Sequence, residues 1–196
     1  IEACVDYSIK ILTLYAFSTE NWSRPEEEVR GLMALSSQMI DRELENLRKN
    51  GVRIRHLGSL DGLAAGLQSK IRHAIEVTAS NERLIVNVAL NYGARMEILE
   101  AVRQMMRDGL TPEQVTEQTL GRYLYTGGLP DPDLVIRTAG EMRLSNFLLW
   151  QAAYAEFYST PTYWPDFGPE EFYKALVAYG QRIRKFGALP VTQEQV

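Results

Sequence analysis

Four short apolar runs of β-forming residues, KILTLYAF at 10–17, VRIRHLG at 52–58, LIVNVAL at 84–90 and DLVIR at 133–137, constrain this chain most. Each has the length and the β-branched content of a buried strand, and amphipathic stretches long enough for helices lie between them. Strands that alternate with helices pair in parallel through crossovers. The pattern therefore predicts an α/β fold, a mostly parallel β-sheet flanked by helices. The clearest predicted helix spans 25–50, with Pro25 near its first turn, Glu26, Glu27 and Glu28 at its positive end, and Gly51 placed to cap it. Leu32, Leu35, Met39, Leu44 and Leu47 supply its apolar stripe. Further helices are predicted at 62–79, 94–108, 112–124 and 168–185, and IEACVDYSIK reads as a helix end leading into the first strand. With 196 residues the chain can bury one sizeable core, so a single domain over 1–187 with a loose tail at 188–196 is expected.

Composition narrows the function classes. A net charge of −4 provides no basic field, which argues against nucleic acid as a partner but leaves room for a local anion pocket. Cys4 is the only cysteine, so an internal disulfide and a cysteine-rich zinc site are excluded, and a reducing compartment such as the cytoplasm fits. His56 and His73, far apart in sequence, give little support to histidine-based metal or triad chemistry. No run approaches the roughly 20 apolar residues of a membrane span, and no charged-then-apolar leader opens the chain, so the protein reads as soluble.

Two stretches carry chemistry. At the end of the fourth strand, Arg137, Arg143 and Ser145 stand where open parallel sheets bind ligands, and arginine's planar fork suits phosphate oxygens. The alternative, a surface loop whose arginines pair with Glu141 and Asp133, stands at even odds on charge alone. After the first strand, FSTENWSRPEEEV places Ser18, Thr19, Glu20, Asn21, Trp22 and Arg24 just before a helix start, a loop able to bind and orient an anion while Phe17 and Trp22 exclude water. Ser23 or Thr19 can also simply cap that helix. Glu156 sits beside Tyr154, Phe157 and Tyr158, which makes it a partly buried carboxylate in need of a partner. Asn91, Tyr92 and Gly93 read more readily as a turn and helix start than as a site. Met33, Leu35, Met39 and Ile40, with Leu84, Val86 and Val88, are core by default and channel lining as the alternative.

Taken together, LTLYAFSTENWSRP and the following Glu28-Val29, NYGAR at 91–95, DLVIRTAGEMRLSNFLLWQAAYAEFY at 133–158 and WPDF at 164–167 closely resemble the cis-prenyltransferase family, in particular the bacterial undecaprenyl diphosphate synthases. The resemblance implies an enzyme that extends an allylic diphosphate such as farnesyl diphosphate by cis additions of isopentenyl diphosphate, with Mg2+ as cofactor. It implies that Arg137, Arg143, Ser145 and the backbone of Leu144 hold isopentenyl diphosphate, that Glu156 binds magnesium, and that Phe17, Ser18, Thr19, Glu20, Trp22, Arg24 and Glu28 belong to the substrate loop. Asn21 matches the position tied to proton removal. A carboxamide is a very weak base, so Asn21 is expected to orient a proton acceptor such as released diphosphate. The resemblance further implies an apolar tunnel, a homodimer built on the stretch from SNFLLW to WPDF, and peripheral contact with the inner face of a membrane for product release. The family's Asp-Gly-Asn-Gly-Arg-Trp phosphate loop is absent from the 196 residues, and a chain without it is expected to lack activity. A non-catalytic subunit of the same fold is the competing expectation, and a G-x-G-x-x-G dinucleotide site is absent.

Overall fold

The structure, a computed structural model, describes residues 1–182, which fall into two compact units. Unit 1 is Ile1–Pro130 with Ser145–Leu149; unit 2 is Asp131–Leu144 with the chain from Trp150 onward. All strand pairs are parallel and helices flank them, as the alternation predicts.

Unit 1 holds β1 (Ile11–Ser18), β2 (Val52–Leu57) and β3 (Leu84–Tyr92) in the order β1-β3-β2. The central strand β3 is nearly all buried, which explains its mostly apolar run, interrupted only by the buried Asn87 and Asn91: parallel strands covered on both faces have no solvent side to alternate toward. Around the sheet run α1 (Glu2–Asp6), α2 (Glu26–Lys49), α3 (Ala65–Val77), α4 (Ala94–Arg107) and α5 (Glu117–Tyr123). In α2 the three glutamates face the positive end, Arg48 and Lys49 close the negative end, and Gly51 takes φ 75° just beyond Asn50, the left-handed exit that glycine permits.

A packed apolar cluster joins α2 and α3 to the sheet: Phe17, Val29, Leu63, Leu67, Ile71 and Leu90, with Leu32, Met33 and Ile40 of α2 half-buried against it. Leu35 and Met39, expected in the apolar stripe, are exposed instead. The inward face runs through 29, 32, 33 and 40, and at 100° per residue positions 35 and 39 fall to one side of it.

Two predicted helices are shortened by local chemistry. Helix α3 starts at Ala65 rather than 62, because Gly62 has φ 81° and the Asp61 N–H donates to Ser59 Oγ at 3.0 Å, a turn that no helix can include. The predicted helix at 112–124 breaks into a 3-10 turn at Pro112–Gln114 and α5, since Thr111 and Thr116 each cap a separate start.

Unit 2 contains β4 (Leu134–Arg137) and β5 (Glu156–Ser159), followed by a 3-10 turn at Trp164–Asp166 and α6 (Pro169–Gly180). Strand β5 was not anticipated, because four residues after a loop without helical periodicity give no crossover signal. Register sets Leu134 opposite Glu156 and Arg137 opposite Ser159. The end of the predicted 168–185 helix and the tail at 188–196 lie outside the described residues.

Candidate active site

In unit 1 the carboxyl end of β1 turns directly into a 3-10 turn at Thr19–Ser23. Ser18 and Asn21 form a reciprocal capping box: the Ser18 side chain accepts from the Asn21 N–H, and the Ser18 N–H donates to Asn21 Oδ1 at 2.9 Å. That bond settles the orientation of the carboxamide. Its oxygen is engaged, and its Nδ2 has no hydrogen-bond partner among the described residues, so Asn21 presents a donor rather than a base.

Two further asparagines hold this loop. Asn91, at the end of β3 with φ 54° and 7% exposure, accepts from Trp22 Nε1 at 2.7 Å and donates to the carbonyls of Ser59 and Asp61 at 3.0 Å each. It thereby joins the loops that follow β1 and β2. Beneath it, Gly58 has φ 123°, and a Cβ there would lie 2.5 Å from the Leu90 carbonyl oxygen, so only glycine fits. Asn146 donates to Glu20 Oε1 at 2.7 Å, while Thr19 Oγ1 donates to Glu20 Oε2 at 3.2 Å. Partial burial disfavours ionisation of Glu20, but hydrogen bonds from its own backbone, Asn146, Ser18 and Thr19 outweigh it and keep the carboxyl below its usual range.

Of the residues proposed for this loop, Phe17 is buried in the apolar cluster, its ring 5.3 Å from that of Trp22, so it supports Trp22 rather than facing solvent. Trp22 itself is 41% exposed. Arg24 and Glu28 pair with each other at 2.7 Å as exposed neighbours one turn apart.

The Ser145–Leu149 segment of the same unit has an aromatic support. Tyr15 stacks on Phe147 with centroids 4.5 Å apart, and its hydroxyl donates to the Ser145 carbonyl at 3.3 Å. The buried Tyr92 meets Phe147 edge-on at 6.0 Å and donates to Glu97 at 2.5 Å. Burial and then the Glu97 carboxylate push the Tyr92 hydroxyl far above its ordinary range. Glu97, 1% exposed, also accepts from the Tyr125 N–H at 2.8 Å. Ser145, Asn146 and Leu148 have φ of 50°, 60° and 45°, a cluster of left-handed non-glycine residues that must be held in place by their surroundings.

In unit 2, Arg137 closes β4 and is followed by two left-handed residues, Ala139 (φ 62°) and Gly140 (φ 68°). Their N–H groups donate to the carbonyls of Thr162 (2.9 Å) and Thr160 (2.8 Å), which turns the chain back so that Glu141 lies between the two arginines. Arg137 Nε donates to Glu141 at 3.1 Å, and the terminal amines of Arg137 and Arg143 both contact the same carboxylate. The Arg137 hydrogen bond, then the charges of both arginines, hold Glu141 below its usual range. Two guanidiniums share one carboxylate. Glu156 begins β5, three register positions from the level of Arg137, or about 10 Å along the strand. It pairs with Arg182 at 2.7 Å, and Arg182 also donates to the Phe157 carbonyl at 3.0 Å.

The family described as "Putative undecaprenyl diphosphate synthase" matches residues 1–187. The chain belongs to this prenyltransferase family. An isoprenyl transferase of Heliobacterium mobile is 51% identical over 97% of this chain and 75% of its own length. A ditrans,polycis-undecaprenyl-diphosphate synthase of Pasteurella multocida, specific for (2E,6E)-farnesyl diphosphate, is 48% identical over 91% of this chain and 76% of its own. Among solved structures, lavandulyl diphosphate synthase from Lavandula x intermedia in complex with dimethylallyl diphosphate superposes with a TM-score of 0.91 at 34% identity, covering 95% of this chain and 82% of that one.

Among the described residues no group of three or more His, Cys, Asp or Glu could hold a metal ion, and the Glu156 carboxylate is engaged by Arg182. A single carboxylate is a sparse ligand set, of the kind magnesium can use because it takes most of its ligands from water and phosphate. Sequence reasoning missed Asn146 and Arg182. Each acts on a residue far along the chain, 126 and 26 positions away, so no local spacing announces it.

Proposed function

We propose that this chain catalyses condensation of isopentenyl diphosphate onto an allylic diphosphate such as farnesyl diphosphate, making a long polyprenyl diphosphate of the undecaprenyl type. The family match over residues 1–187 carries the reading; the arginines pair with Glu141, as the surface-loop alternative expects, so a diphosphate would have to displace that carboxylate. Two arginines balanced by a single carboxylate keep donor capacity for a diphosphate, and the residue types match those of the family at each of these positions. Arg137, Arg143, the Leu144 backbone and Ser145 would hold isopentenyl diphosphate. Ser18, Thr19, Glu20, Trp22 and Arg24 would form the loop at which the allylic group reacts, with Phe17 and Glu28 as support.

In each addition the allylic carbon–oxygen bond breaks, a carbon–carbon bond forms to the isopentenyl unit, diphosphate departs and one proton leaves. Asn21 contributes through its unengaged Nδ2, which can donate to a diphosphate oxygen and so orient the anion that accepts the proton. Magnesium, held through Glu156, would supply positive charge to the departing diphosphate. The growing chain would run along the half-buried apolar side chains of α2 and α3, with Leu32, Met33, Ile40 and Ile75 among its walls. A homodimer built on the SNFLLW-to-WPDF stretch, a cytoplasmic location and peripheral membrane contact complete the proposal. No helix among the described residues is long and apolar enough to cross a membrane.

The test is incorporation of radiolabelled isopentenyl diphosphate into butanol-soluble product with farnesyl diphosphate and magnesium, on protein that includes any residues preceding Ile1. Incorporation is expected. A folded protein that incorporates none would overturn the catalytic reading in favour of a non-catalytic subunit.

A further inference from the structure

Asn146 makes three hydrogen bonds at one point of unit 1. Its carbonyl accepts from the Ala94 N–H at 2.9 Å, its Oδ1 accepts from the Arg95 N–H at 3.0 Å, and its Nδ2 donates to Glu20 at 2.7 Å. The first two supply the start of α4 with a cap that Gly93, the residue before it, cannot provide from a side chain of its own. The third reaches the loop after β1. Asparagine suits the place twice over, since it tolerates the left-handed φ of 60° and offers both an acceptor and a donor.

Resting on the prenyltransferase reading above, we propose that Asn146 is a positioning residue for the reaction. It fixes the Glu20–Asn21 stretch to the segment that carries Ser145, and the loop keeps its working shape only while position 146 supplies a neutral donor to Glu20. The physical reason lies in Glu20. An ionised carboxylate within a loop meant for diphosphates repels them least when it is held in a fixed direction, and here Asn146 engages one oxygen and Thr19 the other. Release of the Asn146 bond would free Glu20 to swing, and Asn21, the next residue, would move with it. The other charged groups on elements joined to this loop are Arg24 and Glu28, which pair with each other, Asp61, reached through Asn91, and Arg95 at the start of α4.

N146D separates the two functions. The introduced carboxylate still accepts from the Arg95 N–H and suits a helix N-terminus, but it cannot donate to Glu20 and places like charge against it. N146A removes both links. The expected result is an N146D protein that unfolds within a few degrees of the parent yet has about 10- to 100-fold lower kcat/KM at pH 8, as misplaced reacting groups do. As pH falls, the ratio of N146D to parent activity should recover, because a proton shared between the two carboxyls restores the donor. N146A should show no such recovery. An N146D protein with parental kcat/KM and a flat ratio would overturn the inference. Should the parent itself prove inactive, the functional reading fails separately, and NMR titration of the Glu20 carboxyl decides this one. N146D should move that titration to clearly higher pH, and an unmoved titration would overturn the proposal.

Discussion

Two regions that carry candidate site residues, one in each unit, are stabilised in opposite ways. After β1 the loop is held by neutral amides: Asn21 on Ser18, Asn91 on Trp22, Ser59 and Asp61, and Asn146 on Glu20. After β4 the turn is held by charge, with Glu141 between Arg137 and Arg143. Amide bonds of fixed geometry preorganise a loop and have no reason to exchange when an anion arrives. On the proposed reading a diphosphate would displace the carboxylate that the two arginines share, so one region would orient and the other would bind.

Four measurements can break or sharpen this contrast. The largest effect is expected from Arg137→Ala, which removes a charge-assisted donor pair and should lower kcat/KM by about 10²- to 10³-fold, mainly through KM for isopentenyl diphosphate. A loss confined to kcat would show that Arg137 also serves the orienting role. Next, Asn91→Ala leaves the Trp22 N–H and two carbonyls without their partner in a partly buried place and puts alanine at φ 54°. It should cost about 2–4 kcal/mol in urea unfolding, and Asn91→Gly should recover the part due to backbone strain. A cost near zero would mean that the amide bonds do not hold the loop.

Glu141→Gln tests the charged region more gently. With the internal anion removed, inorganic diphosphate should bind about three- to tenfold tighter by calorimetry, an ordinary change for one half-buried charge. Weaker binding would instead show that Glu141 organises the arginines as the amides organise the other loop. The smallest effect concerns His56 of β2, where burial lowers the imidazole pKa despite a hydrogen bond to the Leu90 carbonyl. The unfolded state then takes up the proton first. The stabilising contribution is therefore complete above the ordinary histidine value of 6.5 and is lost as pH falls below it toward the folded pKa. His56→Gln should flatten the fall in melting temperature over that window, and an unchanged slope would show that other groups set it.

Much of the fold could be read from residue order. The runs at 10–17, 52–58, 84–90 and 133–137 all became parallel strands, Pro169-Glu170-Glu171 does open α6, and Gly93 does precede α4. These signals are local: burial on both faces, a restricted φ, charge at a helix end. Strand β5 escaped because four residues need a partner strand before they count as a strand. Leu35 and Met39 were misassigned because an apolar residue names a preference, while the neighbours decide which side of a helix is covered.

The site divides along the same line. Residue types alone pointed to Arg137, Arg143 and the STENW loop, because phosphate chemistry requires guanidiniums, hydroxyls and amides at strand ends. They left open whether the arginines pair with Glu141, as they do, and could not show that Asn21 has its oxygen engaged or that Arg182 occupies Glu156. Nor could they separate Asn146 from its neighbours. The sequence determined which groups are present and which backbone shapes are allowed. Only the tertiary structure decided which donor meets which acceptor, because hydrogen bonds and ion pairs act over about 3 Å, a distance set by packing and not by position in the chain.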